Sequence, residues 1–321
     1  MNPPVYPFLF RPLMKAKVWG GDRLHTGFEK PVLDSGRPCG ESWEIVDLPG
    51  ESCEVENGPL EGMSLTGLVE KYESWLMGRA SLLDGRFPLL LKLIDARETL
   101  SVQVHPNEKA AELLGGRPKT EAWVVLDVES DSYLYLGLKE GVTPSTLTKA
   151  CESGSLEDLM CRLEVSPMDV VLIPAGTIHA IGGGVVLAEI QQSSDTTYRL
   201  YDWGRTGLDG KLRNLHIEEA IKSIDFSRPR AWMHYKGFGR LIEGPPFVLH
   251  LVDLSHPDSC EIRINRPVCS MCLEGIISVE CGSVGETMKP GRVSLIPAAA
   301  ERAVFSPQEG KRAKLLVSWP V

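Results

Sequence analysis

Basic residues are in short supply. The chain has 34 Lys and Arg against 43 Asp and Glu, a formal charge of −9. Nucleic-acid backbones and anionic membranes attract basic surfaces, so neither is expected as a partner. The opening stretch, MNPPVYPFLFRPLMKAKVWGG, has four prolines, three of them in the first seven residues, and no long apolar run, so it reads as neither signal peptide nor membrane span. The expected location is the cytoplasm. Paired cysteine motifs are scarce too. Of the eight cysteines, only Cys269 and Cys272 show CxxC spacing, flanked by Cys260 and Cys281. A zinc ribbon needs two such pairs and a redox motif opens a helix. The run VCSMCLEGIISVECG reads instead as strand and turn, so these cysteines are taken as small core residues. A Gly-rich nucleotide loop and a GxSxG elbow are also missing.

Helical signals are few. Residues 62–78, GMSLTGLVEKYESWLMG, have near-helical apolar spacing with Ser64 or Thr66 as N-cap. Residues 143–165 read as two short helices broken at Ser153-Gly154, and residues 214–226 as a third segment. Most of the rest consists of short apolar or alternating runs between Gly, Pro, Asp and Asn, such as EAWVVLDV, DVVLIPAG, GVVLAEIQ and RVSLIPAA. Many short strands at such spacing predict a mainly β fold of sandwich or jelly-roll type. One internal echo stands out. SPMDVVLIPAGTIHAIGGG (166–184) and KPGRVSLIPAAAERAVFSP (289–307) share a turn, an apolar strand, Ile-Pro-Ala and a further strand, which implies two copies of one β unit. Glu301 stands about where His179 stands, so only the first copy is expected to carry chemistry. The boundary is placed near SRPRAW, giving units 1–230 and 231–321, the second without a metal site.

The stretch LSVQVHP (100–106) carries the chemical signal. In a strand, Ser101, Gln103 and His105 share one face. Glu121 in KTEAWVVL begins the following strand, and His179 in PAGTIHA follows a Pro- and Gly-rich turn. Two imidazoles, a carboxylate and an amide oxygen form a mixed N/O set suited to a divalent first-row ion. With no thiolate in the set, an open catalytic site is expected over a closed structural one. Each of these residues alone reads as an ordinary polar side chain; the joint, ordered occurrence of QxHP, KTE and PAGTxHA is what points to metal. His25, His216, His234, His250 and His256 have no such company.

Lys92 lies inside the apolar run PLLLKLIDA, where a buried ammonium needs a carboxylate or a bound anion. Lys119 shares a strand face with Glu121. Arg199, between Tyr198 and Tyr201, is open to two readings: a fork for phosphate or carbonyl, or a brace paired with Asp195 or Asp202. A metal with lysines, arginine and carboxylates suits an anionic, polyhydroxylated substrate such as a sugar phosphate.

Taken together, VWGG (18–21), GESWEI (40–45), PLLLKLIDARETLSVQVHPNE (88–108), KTEAWVVL (119–126), IPAGTIHAIGGG (173–184) and AEIQQSSDTTYRLYDWGR (188–205) resemble the type I mannose-6-phosphate isomerases, in their short form. The resemblance spans roughly residues 17–218 and implies two cupin-type jelly-roll β-barrels with a few short α-helices. It implies one zinc ion per chain on Gln103, His105, Glu121 and His179, with Arg199 as the catalytic arginine. It implies pocket roles for Lys92, Lys119 and Glu41. The reaction it implies interconverts mannose 6-phosphate and fructose 6-phosphate through a cis-enediol. Glu189, Asp195 and a metal-activated water are the candidates for the proton-shuttling base, with Lys119 in a catalytic role and Asp195 beside the substrate. Asn107-Glu108 and Val124 depart from the family pattern at positions that are not ligands. The alternatives are a non-catalytic sugar-phosphate-binding cupin and a metal-dependent cupin enzyme of another class. A monomer is the default expectation, a homodimer the alternative.

Overall fold

The structure is a computed structural model that describes residues 3–33, 35–255, 258–282 and 284–321; His256 lies outside them. Four sheets stack in layers. The inner two have seven strands each, and the outer two have five and four. One seven-stranded sheet runs Met233–Tyr235, Val170–Ile173, Glu121–Val128, Val185–Gln192, Leu89–Ala96, Leu13–Gly21, Cys39–Ile45. The five-stranded sheet facing it runs Met160–Glu164, Tyr133–Leu138, His179–Ile181, Val102–Val104, Tyr198–Tyr201. The second sandwich pairs a seven-stranded sheet built around Phe247–Ser255, Arg312–Pro320 and Val268–Glu274 with a four-stranded one of Cys260–Arg263, Arg302–Pro307, Ile277–Cys281 and Val284–Met288.

Side-chain parity builds this stack. Leu91, Leu93, Ala122, Val124, Ala188 and Ile190 point to one side, into a core shared with Phe8, Leu249, Met271 and Leu316 of the second sandwich. Their alternates Ile94, Trp123, Val125 and Leu187 point to the other side, into the first sandwich. A central strand buried on both faces reads as an unbroken apolar run, and Leu89–Ala96 is buried at every residue. Lys92 is the one cation in that run, on the sandwich-facing side with Ile94. Cys269 lies in the core between the large sheets and Cys272 in that of the second sandwich. On opposite faces of one strand, the two cysteines cannot grip one ion, and all eight are free thiols.

Sheet membership does not follow a single cut of the chain. Phe8–Arg11 pairs with Val293–Ile296 in the second sandwich, Phe8 opposite Leu295. Met233–Tyr235 pairs with Val170–Ile173 in the first.

Helices are short. Leu65–Met77 starts at Ser64, whose hydroxyl accepts from the Gly67 N–H at 3.0 Å, so Ser64 rather than Thr66 is the cap. Pro144–Ser153 opens on a Thr143/Thr146 capping box and stops at Gly154 in the left-handed region. The second helix expected within 143–165 is a single 3-10 turn, Leu156–Leu159, followed by the strand Met160–Glu164. That edge strand pairs with Tyr133–Leu138, and the pairing overrides the local helical spacing. In the 214–226 segment the helix covers only Ile217–Ser223. Among the described residues no helix is long and apolar enough to cross a membrane.

Both copies of the echo form a strand, Val170–Ile173 and Val293–Ile296, before Pro-Ala. Residue for residue after Ile-Pro-Ala, it is exposed Arg302, the first residue of its strand, that matches His179; Glu301 is one place short.

Candidate metal centre

Two facing rows of side chains make the site. On the five-stranded sheet, Gln103 sits opposite His179 on one side and Arg199 on the other. On the seven-stranded sheet, Trp43 lies opposite Lys92, Lys92 opposite Glu189, and Glu189 opposite Trp123. Cross-strand partners share a face, so both rows point into the sandwich. Glu121, two residues before Trp123, joins the second row at its edge.

The rows meet at Glu121. Its Oε2 lies 3.3 Å from His105 Nε2 and its Oε1 3.2 Å from His179 Nε2. The Gln103 amide is 3.3 Å from His179 Nε2, and a half-turn of that amide brings its oxygen to the same point. The Nδ1 atom of His105 lies 2.9 Å from the Thr196 carbonyl, and that of His179 2.9 Å from the Thr177 carbonyl. Each Nδ1–H therefore donates to backbone, and each Nε2 turns a bare lone pair inward. The run SSDTT thus supplies the brace for His105. The turn before His179 needs Gly176, with φ of +87° and a pro-Cβ position 3.2 Å from the Ser223 carbonyl.

These groups are fully buried and lack hydrogen-bond partners: His105 Nε2 and both oxygens of Glu121 are orphaned. Burial, reinforced by the Lys119 ammonium, pushes the His105 imidazole down to about 3. Burial likewise lowers His179. Burial alone would raise Glu121, but the Lys119 ammonium holds it well below the usual carboxylate range. Neutral imidazoles and an ionised carboxylate facing one another, with no proton between them, turn lone pairs toward a common point, an arrangement suited to a cation. The donor set is N/O with ligand atoms within 4.8 Å of one another, which fits a small divalent ion.

A cavity of about 250 Å³ opens beside this centre, lined by Lys17, Glu41, Lys92, Gln103, Lys119, Glu189, Asp195, Arg199 and Arg213 among others. Five of its lining residues are cationic and three acidic. Lys92 is 3.3 Å from Glu189 and 4.9 Å above the Trp43 ring. Lys119 is 2.9 Å from Glu121 and 3.7 Å from Glu189; burial opposes its charge, but those carboxylates raise its pKa on balance. Trp123 donates its indole N–H to Glu189 Oε2 at 3.0 Å. Glu41 accepts from the Trp43 indole at 2.7 Å and pairs with Lys17 at 3.1 Å. Burial works against its charge, yet Lys17, Lys92 and Trp43 bring it down to about 2. Asp195 is exposed at the cavity wall.

The two readings of Arg199 now separate. Asp202 is gripped by Arg213 at 2.6 Å and Arg205 at 2.7 Å. Arg199 forms no ion pair among the described residues; one amino group donates to the Asn214 carbonyl at 2.9 Å and its buried Nε is unpartnered. Burial and the neighbouring Arg213 and Arg205 press its pKa down. Three guanidiniums around one carboxylate leave spare positive charge facing the cavity. Lys17, Arg213 and the tryptophans Trp43 and Trp123 escaped the sequence reading. Lys15, Lys17 and Trp19 do alternate along one strand, a signal that was available; Arg213 lies in a polar loop that carries none.

A family model described as phosphomannose isomerase type I, catalytic domain, matches residues 8–124. The mannose-6-phosphate isomerase ManA of Bacillus subtilis is 40% identical over 223 residues, covering 68% of this chain and 68% of that protein. The chain belongs to the type I phosphomannose isomerases. Membership extends to the whole fold. The crystal structure of the mannose 6-phosphate isomerase from Bacillus subtilis superposes with a TM-score of 0.84 at 27% identity, covering 97% of this chain and 99% of that one. A mannose 6-phosphate isomerase structure bound with zinc and yttrium shares the fold, with a TM-score of 0.72 at 17% identity over 98% of this chain and 99% of that one.

Proposed function

We propose that this chain interconverts mannose 6-phosphate and fructose 6-phosphate, using one zinc ion held by Gln103, His105, Glu121 and His179. The observation that carries the reading is the convergence of the His105 and His179 imidazoles and the Glu121 carboxylate beside a cation-lined cavity that Gln103 and Lys119 help to wall. Family membership supports the reaction. When bound, the ion supplies Lewis-acid stabilisation of negative charge developing on the sugar C1 and C2 oxygens.

The chain's own residues do the rest. Arg199, in register with Gln103, is positioned to polarise the same sugar oxygens. The substrate phosphate lies toward Arg213 and Lys17, which are more exposed than Lys92 and Lys119 and stand near the spare charge left by three guanidiniums around Asp202. Glu189 takes the proton from C2 of the open-chain sugar and returns it to C1, by way of a cis-enediol in which the O2 proton passes to O1. Trp123 holds one oxygen of Glu189 while the other faces Lys92 and Lys119, so the base is fixed in place and its charged form is matched by two ammonium groups. Lys119 completes the catalytic set by holding Glu121 and Glu189 together. Glu41 and Asp195 bind sugar hydroxyls.

The test is a coupled assay of fructose 6-phosphate formation before and after chelation, with zinc restored. Loss with chelator and recovery with zinc are expected. A metal-loaded protein that makes no fructose 6-phosphate would overturn the reading.

A further inference from the structure

The second sandwich also has a mouth. The catalytic cavity lies between the two sheets of the first sandwich, with Lys92 and Ile94 on one wall and Gln103 and Ile181 on the other. Between the two sheets of the second sandwich a cavity of about 310 Å³ is lined by Val248, Val268 and Trp319 on the seven-stranded side and Ile262 on the four-stranded side. Barrel mouths are common seats for small ligands. This one has an apolar floor and a cationic rim.

Three guanidiniums, Arg240, Arg263 and Arg266, line it, with the Glu243 side chain and the last residue, Val321, beside them. Such a concentration of positive charge runs counter to a chain of net charge −9, and it selects for a small anion. The Arg240 guanidinium lies 5.7 Å from the Trp319 ring centroid, and Arg266 reaches across to the Pro320 carbonyl at 3.1 Å. Glu243 occupies only the Nε side of Arg240, at 3.1 Å. Behind Trp319 sits His250, ring centroids 5.0 Å apart, with a buried Nε2 that has no hydrogen-bond partner. Trp319 is half-buried, offering ring surface to the opening. An aromatic wall beside guanidiniums is the chemistry that holds a ring with a phosphate attached, through stacking on one part and forked hydrogen bonds to the other.

We propose that the mouth of the second sandwich is a binding site for a small organophosphate, its ring against Trp319 and its phosphate on Arg240 and Arg266. It is separate from the metal centre and does not depend on the reaction proposed there.

Calorimetric titration of the full chain with mannose 6-phosphate, ADP and inorganic phosphate tests it, beside an Arg240→Ser/Arg266→Ser variant. The expected result is an organophosphate binding event additional to any at the catalytic cavity, at least tenfold weaker in the double variant. Isomerase activity of that variant, assayed at low ligand concentration, should match wild type. Tryptophan quenching that accompanies this event should vanish in Trp319→Phe. Binding of the sugar phosphate alone would name a sugar phosphate as ligand, and binding of ADP alone a nucleotide; either supports the site. If neither organophosphate gives the extra event, if the double variant binds as tightly as wild type, or if inorganic phosphate binds as tightly as both, the inference is overturned.

Discussion

At the residue scale, the proposed metal centre works by denying protons to the side chains that would hold the ion. His105 and His179 spend Nδ1–H on backbone carbonyls, and burial keeps Nε2 bare. The cost appears as pH falls. In the unfolded chain an imidazole takes up a proton near 6.5, whereas folded His105 resists until about 3. The unfolded state therefore binds more protons between those values, and stability falls as pH falls through that window. Metal-free protein should lose melting temperature progressively below about pH 6.5, and a His105→Gln variant should show a shallower decline in differential scanning calorimetry. Equal slopes would contradict the assignment. Lys92→Met tests the opposite charge. Removing the ammonium leaves Glu189 buried with one cation fewer, a change of about 3–5 kcal/mol in such settings. Thermal unfolding should register that loss, and kcat should fall with it. A stable, fully active Lys92→Met enzyme would refute the role given to Glu189.

At the element scale, close backbone approach sets the geometry. Strands Leu13–Gly21 and Cys39–Ile45 carry Lys17 and Glu41, and they meet where Gly20 packs on Gly40. A Cβ on Gly20 would lie 2.4 Å from the Gly40 nitrogen. Gly20→Ala should therefore pry the strands apart and cost at least about 2 kcal/mol. Because Glu41 shifts with its strand, KM should rise as well, measured by steady-state kinetics; an unchanged KM would detach the glycines from the pocket. The VWGG and GESW motifs were visible in the sequence, and this contact is the reason they come as a pair. Strict two-residue alternation made Gln103 and His105 readable, and KTE placed Lys119 beside Glu121. What stayed hidden is cross-strand: nothing local tells that Trp123 lies opposite Glu189, or Trp43 opposite Lys92. Met160–Glu164 misled for the same reason, since its pairing partner lies more than twenty residues upstream.

At the scale of the molecule, the two sandwiches share one core. Phe8 and Phe10 come from the start of the chain yet pack with Leu249, Met271 and Leu295. We propose that 1–230 and 231–321 form two units that do not fold apart. Expressed alone, residues 1–230 would leave the apolar back of the first seven-stranded sheet uncovered, along with the edge of strand Phe8–Arg11 that pairs with Val293–Ile296, and such surfaces aggregate. Insolubility of that fragment, rescued by co-expression of 231–321, is the expected outcome. A soluble, active fragment would contradict the shared core. The apolar patterning announced two β units, but the exchange of strands between them is a matter of topology that no short stretch encodes.

The metal centre is tested most directly by diffraction at the zinc absorption edge on crystals of the purified chain. The expected result is one anomalous peak per chain, about 2.0–2.2 Å from His105 Nε2, His179 Nε2 and the Glu121 and Gln103 oxygens. A zinc-loaded crystal with its peak elsewhere, or with no density among those four side chains, would contradict the site on which the proposed reaction depends.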